Sequence, residues 1–282
     1  MSIRIIGIVG AGTMGTGIAQ VAAVAGFDVI LADVTEAAAD RGVVSVAQGL
    51  DRLVTSQKID TAELNAALQR ITPASGYGAL RPADLVIEAV TEDTETKVKV
   101  LREIDAVARP DAIIATNTSS ISITRLASVI SHPSRLIGMH FFNPVPAIPL
   151  VELVRGLRTS DATHDAAEAL VTKLGKVSVT VKNSPGFVVN RILLPMLNEA
   201  FFVLAEGDAS SADIDDAMKL GCRHPMGPLA LADLIVLDVL LSVMQTLHSD
   251  LGEPKYRPAP LLGELVAAGY LGRKSGRGVY RY

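Results

Sequence analysis

Residues 4–33 read RIIGIVGAGTMGTGIAQVAAVAGFDVILAD, and this stretch decides the fold. Its β-branched start, Arg4–Val9, predicts a buried strand that ends in glycines. Its middle, Met14–Ala25, is small and apolar and is followed by a glycine, which predicts a helix and its end. Asp28–Ala32 predicts a second strand, with Asp33 at its tip. Strand, helix and strand within about 30 residues form one βαβ unit.

The same alternation continues over residues 36–181. Short β-branched runs alternate there with longer helical patterns, so we expect a doubly wound, mostly parallel sheet. The predicted strands are Leu85–Ala89, Ile113–Thr116, Leu136–Met139, Val151–Val154 and Val177–Val181, and the predicted helices are Glu36–Val54, Glu63–Arg70, Thr94–Ala108 and Asp161–Leu174.

The pattern changes at the turn signal Ser184-Pro185-Gly186. After this turn the sequence predicts helices and no strand. The predicted helices are Phe187–Ala205, Ser211–Lys219, Leu231–Leu247 and Leu261–Ala268. We therefore expect an α/β domain over residues 1–183 and an all-α C-terminal domain over residues 184–282.

The composition narrows the classes of function. Of the 282 residues, 49% are apolar and 20% charged, which is typical of a folded globular protein. The formal net charge of −4, without long runs of one sign, argues against binding to nucleic acid. No segment has the pattern of a membrane span or a signal peptide. Cys222 is the single cysteine, so no intrachain disulfide is possible, and we expect a cytoplasmic protein.

The turn between the first strand and the first helix has a glycine spacing typical of phosphate binding: Gly10-Ala11-Gly12-Thr13-Met14-Gly15. Gly10 permits the tight turn, Gly12 lets the backbone approach a pyrophosphate, and Gly15 lets the helix pack closely on the strand. The helix then directs free N–H groups and a partial positive charge at the phosphates.

Asp33 completes this pattern at the end of the second strand. A carboxylate there can bind both hydroxyls of an adenine ribose, and it would repel a 2′-phosphate. Val34 and Thr35 follow, without an arginine to receive that phosphate, so we expect NAD rather than NADP. The simpler alternative is a tight turn beside a solvated aspartate.

Two polar segments follow predicted strands, at residues 116–120 and 140–146. Ligands of doubly wound sheets bind outside the carboxyl ends of the strands, so both segments should face the cofactor. His140 has the side chain of a general base near neutral pH, and Glu152 can fix its tautomer. Ser119 and Asn190 can donate hydrogen bonds to a developing carbonyl oxygen. These residues predict a hydroxyl dehydrogenase.

Each of these residues also has a structural interpretation. His140 could be a buried strand-end histidine, and Glu152 a surface residue. Ser119 could cap a helix, and Asn190 could be a polar residue at a domain contact. Asn143, which precedes a proline, could form a turn. The His, Cys, Asp and Glu residues show no metal-ligand spacing, so no metal is expected.

Several motifs together make the sequence resemble the 3-hydroxyacyl-CoA dehydrogenase family, especially its bacterial single-function members that act on 3-hydroxybutyryl-CoA. They follow one another over nearly the whole chain: Gly10-x-Gly12-x-x-Gly15, Asn117-Thr118-Ser119-Ser120, His140-Phe141-Phe142-Asn143-Pro144, Ser184-Pro185-Gly186-Phe187-Val188-Val189-Asn190-Arg191, His224-Pro225-Met226-Gly227-Pro228 and Gly276-x-Gly278-x-Tyr280. The resemblance implies a Rossmann-like NAD-binding domain and a helical domain that mediates homodimerisation.

The resemblance also implies roles for individual residues. His140 is similar to the family's catalytic base and Glu152 to its partner, while Ser119 and Asn190 match contacts to the substrate oxygen. The cofactor-binding positions of the family are matched by Thr13, Met14, Glu92, Lys97, Asn143 and also Ser119. Asn143 is at the same time similar to an active-site asparagine of the family. In relatives a serine and a lysine contact CoA, but here Gly49 and Ser56 occupy those places. Nearby Lys58 or Arg52 could meet the CoA phosphates instead.

The expected activity is therefore reversible NAD-dependent oxidation of a short-chain (S)-3-hydroxyacyl-CoA, within fatty-acid, lipid or butyrate metabolism. A related dehydrogenase of a free hydroxy acid or sugar acid remains an alternative because of the missing lysine. A non-catalytic NAD-binding protein is the second alternative, since a fold alone never settles function.

Overall fold

Residues 3–282 are described by the structure, a computed structural model, and they form two units whose boundary lies between Asn183 and Ser184. The first unit contains one eight-stranded sheet with the order β3-β2-β1-β4-β5-β6-β7-β8. The strands are β1 Ile5–Val9, β2 Asp28–Asp33, β3 Ile71–Ser75, β4 Leu85–Glu88, β5 Ile113–Thr116, β6 Leu136–Phe141, β7 Leu150–Arg155 and β8 Val177–Lys182.

Six α-helices connect these strands within the described part of the first unit. Strands β1 to β6 pair in parallel with one another, which confirms the predicted doubly wound, mostly parallel sheet. The helices are α1 Thr13–Val24, α2 Glu36–Thr55, α3 Thr61–Gln69, α4 Thr94–Val107, α5 Ile123–Ala127 and α6 Asp161–Lys173.

Strand β7 is the exception to the parallel arrangement. It runs antiparallel to β6 and parallel to β8, so β6 and β7 form a pair whose residues face one another directly. This pair places His140 opposite Glu152.

Two elements of the first unit have no counterpart in the sequence prediction: β3 and the short helix α5. Strand β3 contains Pro73, which argues against a strand in the middle of a sheet. It pairs with β2 alone, and an edge strand tolerates proline because one side of its backbone has no partner strand.

The second unit is helical and has its own apolar core, built around Leu197, Phe201, Leu240 and Met244. Among its described residues only isolated bridges at residues 272–281 have β pairing. Its helices are α7 Val189–Glu206, α8 Ser211–Gly221, α9 Pro228–Ile235, α10 Leu237–Leu251 and α11 Pro260–Ala267.

The single helix predicted over Leu231–Leu247 is wrong. The structure has two helices there, α9 and α10, bent by 97°. Val236, between them, has a φ of 87°, which an α-helix cannot accommodate. The amide of Leu237 bonds instead to the carbonyl of Leu271, so a contact distant in sequence stabilises the break.

Two buried aspartates organise the second unit. Asp215 accepts hydrogen bonds from the backbone amides of Leu229 and Ala230, in the first turn of α9. Asp233 accepts two more from the backbone amides of Val279 and Tyr280. The Tyr280 hydroxyl donates to Asp215. The two aspartates therefore connect the end of the chain to α8, which contains Asp215, and to α9, which contains Asp233.

Among the described residues 3–282, no single helix is long and apolar enough to cross a membrane. The bent pair of α9 and α10 reaches such a length and apolar composition only when the two helices are taken together.

Candidate active site

The glycine turn after β1 has the geometry that its spacing predicts. Gly10 has a φ of +103°, in the region that favours glycine, and its amide donates to the carbonyl of Ala32 at 2.8 Å. A Cβ on Gly15 would overlap the carbonyl oxygen of Gly10, so helix and strand approach too closely for any side chain there. A Cβ on Gly12 would meet no atom within 4 Å, so the space outside this turn is open.

Asp33 lies beside this turn with its carboxylate fixed by the backbone. One oxygen accepts from the Ala11 amide at 2.7 Å and the other from the Val34 amide at 2.7 Å. A cleft of about 340 Å³ opens here between the ends of β1, β2 and β4, lined by Gly10, Gly12, Asp33, Tyr77, Val90 and eight other residues. An apolar cleft with a fixed carboxylate at its rim fits the adenosine half of a dinucleotide.

Thr13 and Met14, the residues between the last two glycines of the motif, have different surroundings. Thr13 begins α1 and lines a second cleft, whereas the half-buried Met14 packs against the apolar core of the first unit. Of the two residues, Thr13 is the one that lines this cleft.

His140 and Glu152 form a buried pair in the middle of the first unit. Nδ1 of His140 lies 2.7 Å from Oε2 of Glu152, and the two residues are 3% and 1% exposed. Their separation of 12 residues is explained by the antiparallel pairing of β6 with β7, which places them directly opposite each other. The carboxylate therefore fixes the ring orientation and makes Nδ1 the protonated nitrogen.

Asn117 ties the end of β5 to the strand that contains His140. Its amide oxygen accepts from the Phe141 backbone N–H at 2.9 Å, and its own backbone N–H donates to the carbonyl of Glu88 at 2.8 Å. The Phe142 ring lies 4.4 Å from the His140 ring, measured between centroids. The imidazole is thus held by the neighbouring strand and by an adjacent ring.

Ser119 lies in a loop that is wrapped around one carboxylate oxygen. Oε1 of Glu92 accepts from the Thr118 hydroxyl at 2.6 Å, the Ser119 amide at 2.7 Å and the Ser120 amide at 3.1 Å. The Ser120 hydroxyl also donates to this oxygen, at 3.2 Å. Glu92 therefore holds Ser119 through its backbone amide.

Lys97 has no exposed surface. Its ammonium group lies 2.7 Å from Glu88 Oε1 and 3.4 Å from Glu92 Oε2, and it donates to the carbonyl of Val90 at 3.3 Å. The two residues expected at the cofactor, Glu92 and Lys97, therefore contact each other, and Glu92 is the one with exposed surface.

A larger cleft of about 800 Å³ extends from the glycine turn along α1 and α2 to the loop 143–147. Asn143 and Arg52 line it, and Gly49 leaves room beside Gln20. Lys58 lies outside it and lines a neighbouring cleft of about 430 Å³ together with Lys176.

Lys176 supports the loop that forms one wall of the larger cleft. Its ammonium group donates to the carbonyls of Val145 and Ile148 at 2.6 and 2.7 Å. Burial lowers the pKa of Lys176 from its ordinary value. Asn143 is exposed at the start of this loop.

Asn190 belongs to the second unit, where it is the second residue of α7. The structure therefore brings together His140 with Glu152 and Ser119 with Glu92 in the first unit. The described residues contain no group of three or more His, Cys, Asp or Glu side chains arranged for a metal ion.

Sequence reasoning missed three residues that support this site, Glu88, Asn117 and Lys176. Asn117 could have been found, because it begins the motif that was recognised. Glu88 ends a buried strand, and an acid at that position is a signal on its own. No local sequence pattern indicates the role of Lys176, because its ammonium group bonds to carbonyls about 30 residues earlier in the chain.

Two family models match the chain. Residues 5–184 match the model described as 3-hydroxyacyl-CoA dehydrogenase, NAD binding domain, and residues 186–282 match the one described as 3-hydroxyacyl-CoA dehydrogenase, C-terminal domain.

Similar proteins share the full length of the chain. A 3-hydroxybutyryl-CoA dehydrogenase of Bradyrhizobium diazoefficiens is 51% identical over 280 residues, covering 99% of this chain and 96% of that protein. One of Clostridioides difficile is 47% identical, with 98% of each chain covered. The crystal structure of the (S)-3-hydroxybutyryl-CoA dehydrogenase of Ralstonia eutropha, 60% identical, superposes with a TM-score of 0.97 and covers 100% of this chain and 99% of that one.

Proposed function

The chain belongs to the 3-hydroxyacyl-CoA dehydrogenase family, and from that premise we propose that it catalyses the reversible NAD-dependent oxidation of a short-chain (S)-3-hydroxyacyl-CoA, such as 3-hydroxybutyryl-CoA, to the 3-ketoacyl-CoA. Relatives with this substrate in their names align along the whole chain. The observation that carries the proposal is the buried contact of 2.7 Å between His140 and Glu152.

His140 acts as the general base in this proposal. Glu152 accepts a hydrogen bond from Nδ1–H, so Nε2 is the nitrogen that takes the proton of the substrate hydroxyl. The carboxylate stabilises the imidazolium that results, because an opposite charge nearby favours the charged form. In the reverse direction the same imidazolium returns the proton to the carbonyl oxygen.

The hydroxyl of Ser119 and the amide of Asn190 are proposed to donate hydrogen bonds to the substrate oxygen. Donors held in advance at the position where negative charge develops stabilise the transition state without reorganisation. The Glu92 contacts hold the Ser119 backbone for this purpose. Asn143 is proposed to position the cofactor from the loop at the cleft wall.

NAD is the cofactor of this proposal, and when bound it accepts the hydride from C3 of the substrate. The open space at Gly12 and the cleft beside Asp33 fit a pyrophosphate and an adenosine. The Asp33 carboxylate favours NAD over NADP, because a 2′-phosphate would meet a negative charge there. Arg52 is proposed to meet the phosphates of CoA at the larger cleft, with Lys58 beside it.

We further propose a homodimer formed through the second unit. Several of its apolar side chains are exposed, with Ile192 68% and Leu220 81% accessible. Exposed apolar residues on packed helices are a common feature of surfaces that associate. Action in the cytoplasm is proposed as well, since the single cysteine, Cys222, is a free thiol.

The decisive experiment compares acetoacetyl-CoA with free acetoacetate as oxidants of NADH, followed by the loss of NADH absorbance. Turnover of the CoA ester alone is the expected result. Faster turnover of the free acid would instead assign the chain to the hydroxy-acid dehydrogenases. An absence of turnover with both compounds would contradict the proposal, provided that NADH binding is detected by fluorescence.

A further inference from the structure

We propose that Glu88 is a positioning residue of this active site: its charge keeps Lys97 from drawing Glu92 away, so that Glu92 can hold the loop that contains Ser119. The consequence for turnover rests on the proposed function. The geometric part does not, because every contact it needs lies within the first unit.

Glu88 is fully buried at the carboxyl end of β4. Its Oε1 accepts from the Lys97 ammonium at 2.7 Å and from the Val90 amide at 2.8 Å, and its Oε2 accepts from the Thr116 hydroxyl at 2.6 Å. A buried carboxylate is stable only when it is paired and hydrogen-bonded, and these three partners meet that requirement.

Lys97 lies between two carboxylates. The distance to Glu88 is 2.7 Å and the distance to Glu92 is 3.4 Å, so the ammonium favours the buried carboxylate over the more exposed one. Lys97 therefore compensates the charge of Glu88 more than that of Glu92. The Glu92 carboxylate keeps most of its negative charge, with which it can accept hydrogen bonds from other donors.

The Glu92 carboxylate accepts hydrogen bonds from the loop 118–120. Four donors of this loop, two amides and two hydroxyls, meet at Oε1, the oxygen of Glu92 that faces away from Lys97. Hydrogen bonds to a charged acceptor are the stronger ones, so the position of this carboxylate sets the position of the loop backbone.

A neutral residue at position 88 would change this balance. The substitution Glu88→Gln keeps the size and an acceptor oxygen but removes the charge. The Lys97 ammonium would then have Glu92 as its only carboxylate partner within reach, and it would move toward it. Glu92 would loosen its bonds to the amides of Ser119 and Ser120, and the Ser119 hydroxyl would be displaced.

The test compares Glu88→Gln with Thr116→Val, which removes one hydrogen bond to Glu88 and leaves the Lys97 contact in place. Hydrogen–deuterium exchange of the Ser119 and Ser120 amides is measured first, because it needs no substrate. We expect exchange about tenfold faster in Glu88→Gln and unchanged in Thr116→Val. Thermal unfolding of both variants is recorded to correct for any general loss of stability.

Steady-state kinetics with acetoacetyl-CoA and NADH provide the second measurement. We expect kcat of Glu88→Gln to fall by between about tenfold and hundredfold, as for a misplaced catalytic group, with little change in either KM. Thr116→Val, which keeps the contact of Lys97 with Glu88, should lose much less of its kcat than Glu88→Gln.

Unchanged amide exchange in Glu88→Gln, or equal effects of the two substitutions, would overturn the proposal and leave Glu88 with a structural role only. If the parent protein does not turn over acetoacetyl-CoA, the proposed function fails by itself. The exchange measurement then still decides whether Glu88 positions the loop.

Discussion

Both edges of the sheet have acidic side chains paired with basic ones, but the pairs at the two edges contact different parts of the protein. At the carboxyl edge, where β4 to β6 end, Glu88 pairs with Lys97, and His140 contacts Glu152. At the amino edge, where β4 and β6 begin, Asp84 pairs with an arginine and with backbone amides at the start of β1, and Asp105 pairs with Arg135. Pairs of similar side chains therefore adjoin the candidate site at one edge and join elements of the fold at the other.

The difference follows from the direction of the strands. In doubly wound sheets ligands bind outside the carboxyl ends, so a charge there can act on a substrate or cofactor. A charge at the amino ends can only hold secondary structure together. Substitutions at the carboxyl edge should thus change turnover, and those at the amino edge should change stability.

The largest effect is expected for His140→Ala. Loss of a general base costs about 10²-fold to 10⁴-fold, so kcat should fall by that range while NADH affinity stays nearly unchanged. The measurement is steady-state kinetics together with NADH fluorescence titration. His164→Ala is the matched control, because this histidine lies on α6 and bonds to Thr180. Retained turnover in His140→Ala would remove His140 from the mechanism.

Two glycine substitutions at the carboxyl edge distinguish the binding of the cofactor from the stability of the fold. Gly15→Ala should destabilise the protein by about 1–3 kcal/mol or more, because its Cβ would overlap the Gly10 carbonyl. Gly12→Ala meets no protein atom, so its unfolding midpoint should match the parent while NADH binding weakens at least about tenfold. Thermal unfolding and NADH titration of both variants check this. Normal NADH affinity in Gly12→Ala would place the pyrophosphate elsewhere.

The sequence could predict what depends on local pattern. The alternation of strands and helices and the glycine turn follow from periodicity and conformational preference, and the structure has both. The structure also brings His140 and Glu152 together, although their role in proton transfer stays a prediction. The side-chain chemistry of a base and a carboxylate indicated that pair. Its separation of 12 residues is explained only by the antiparallel register of β6 and β7.

The remainder depends on contacts distant in sequence. Strand β3 tolerates Pro73 because it lies at a sheet edge, and no local sequence pattern shows that position. The helix break at Val236 is stabilised by the carbonyl of Leu271, which no pattern near residue 236 reveals. The contact of Lys97 with Glu88 likewise needs the loop after β4 to fold back, whereas the expected cofactor contact of Lys97 rests on the family resemblance alone.

Asp33 provides a smaller, specific test of the carboxyl edge. Asp33→Ala removes the negative charge that would repel a 2′-phosphate. We expect NADH to bind about tenfold more weakly, a change of about 1.4 kcal/mol, and the preference for NADH over NADPH to fall. The ratio of kcat/KM for the two cofactors measures this. An unchanged ratio would contradict the ribose contact assigned to Asp33.

The smallest effect is expected at the amino edge, with Asp105→Asn. Burial alone would raise the pKa of Asp105, but bonds from Arg135 and Ser131 outweigh it and hold that pKa below its ordinary value. A carboxyl group with a lowered pKa in the folded state stabilises above its unfolded pKa, and this stabilisation is lost as pH falls through the folded pKa. The variant should therefore lose roughly 1–2 kcal/mol near neutral pH, from the hydrogen bonds to the charged carboxylate, and converge on the parent only at a low pH beneath the lowered pKa of folded Asp105.

Urea unfolding at both pH values, with kcat measured near neutral pH, checks this last contrast. Turnover should be unchanged, because the ion pair of Asp105 with Arg135 lies at the edge opposite to the clefts. Asp216→Asn is the matched control, since Asp216 forms an exposed pair with Lys219, and such pairs contribute about 0–1 kcal/mol. A loss of kcat in Asp105→Asn without a loss of stability would break the division between the two edges, because a charge at the amino ends would then act on the chemistry.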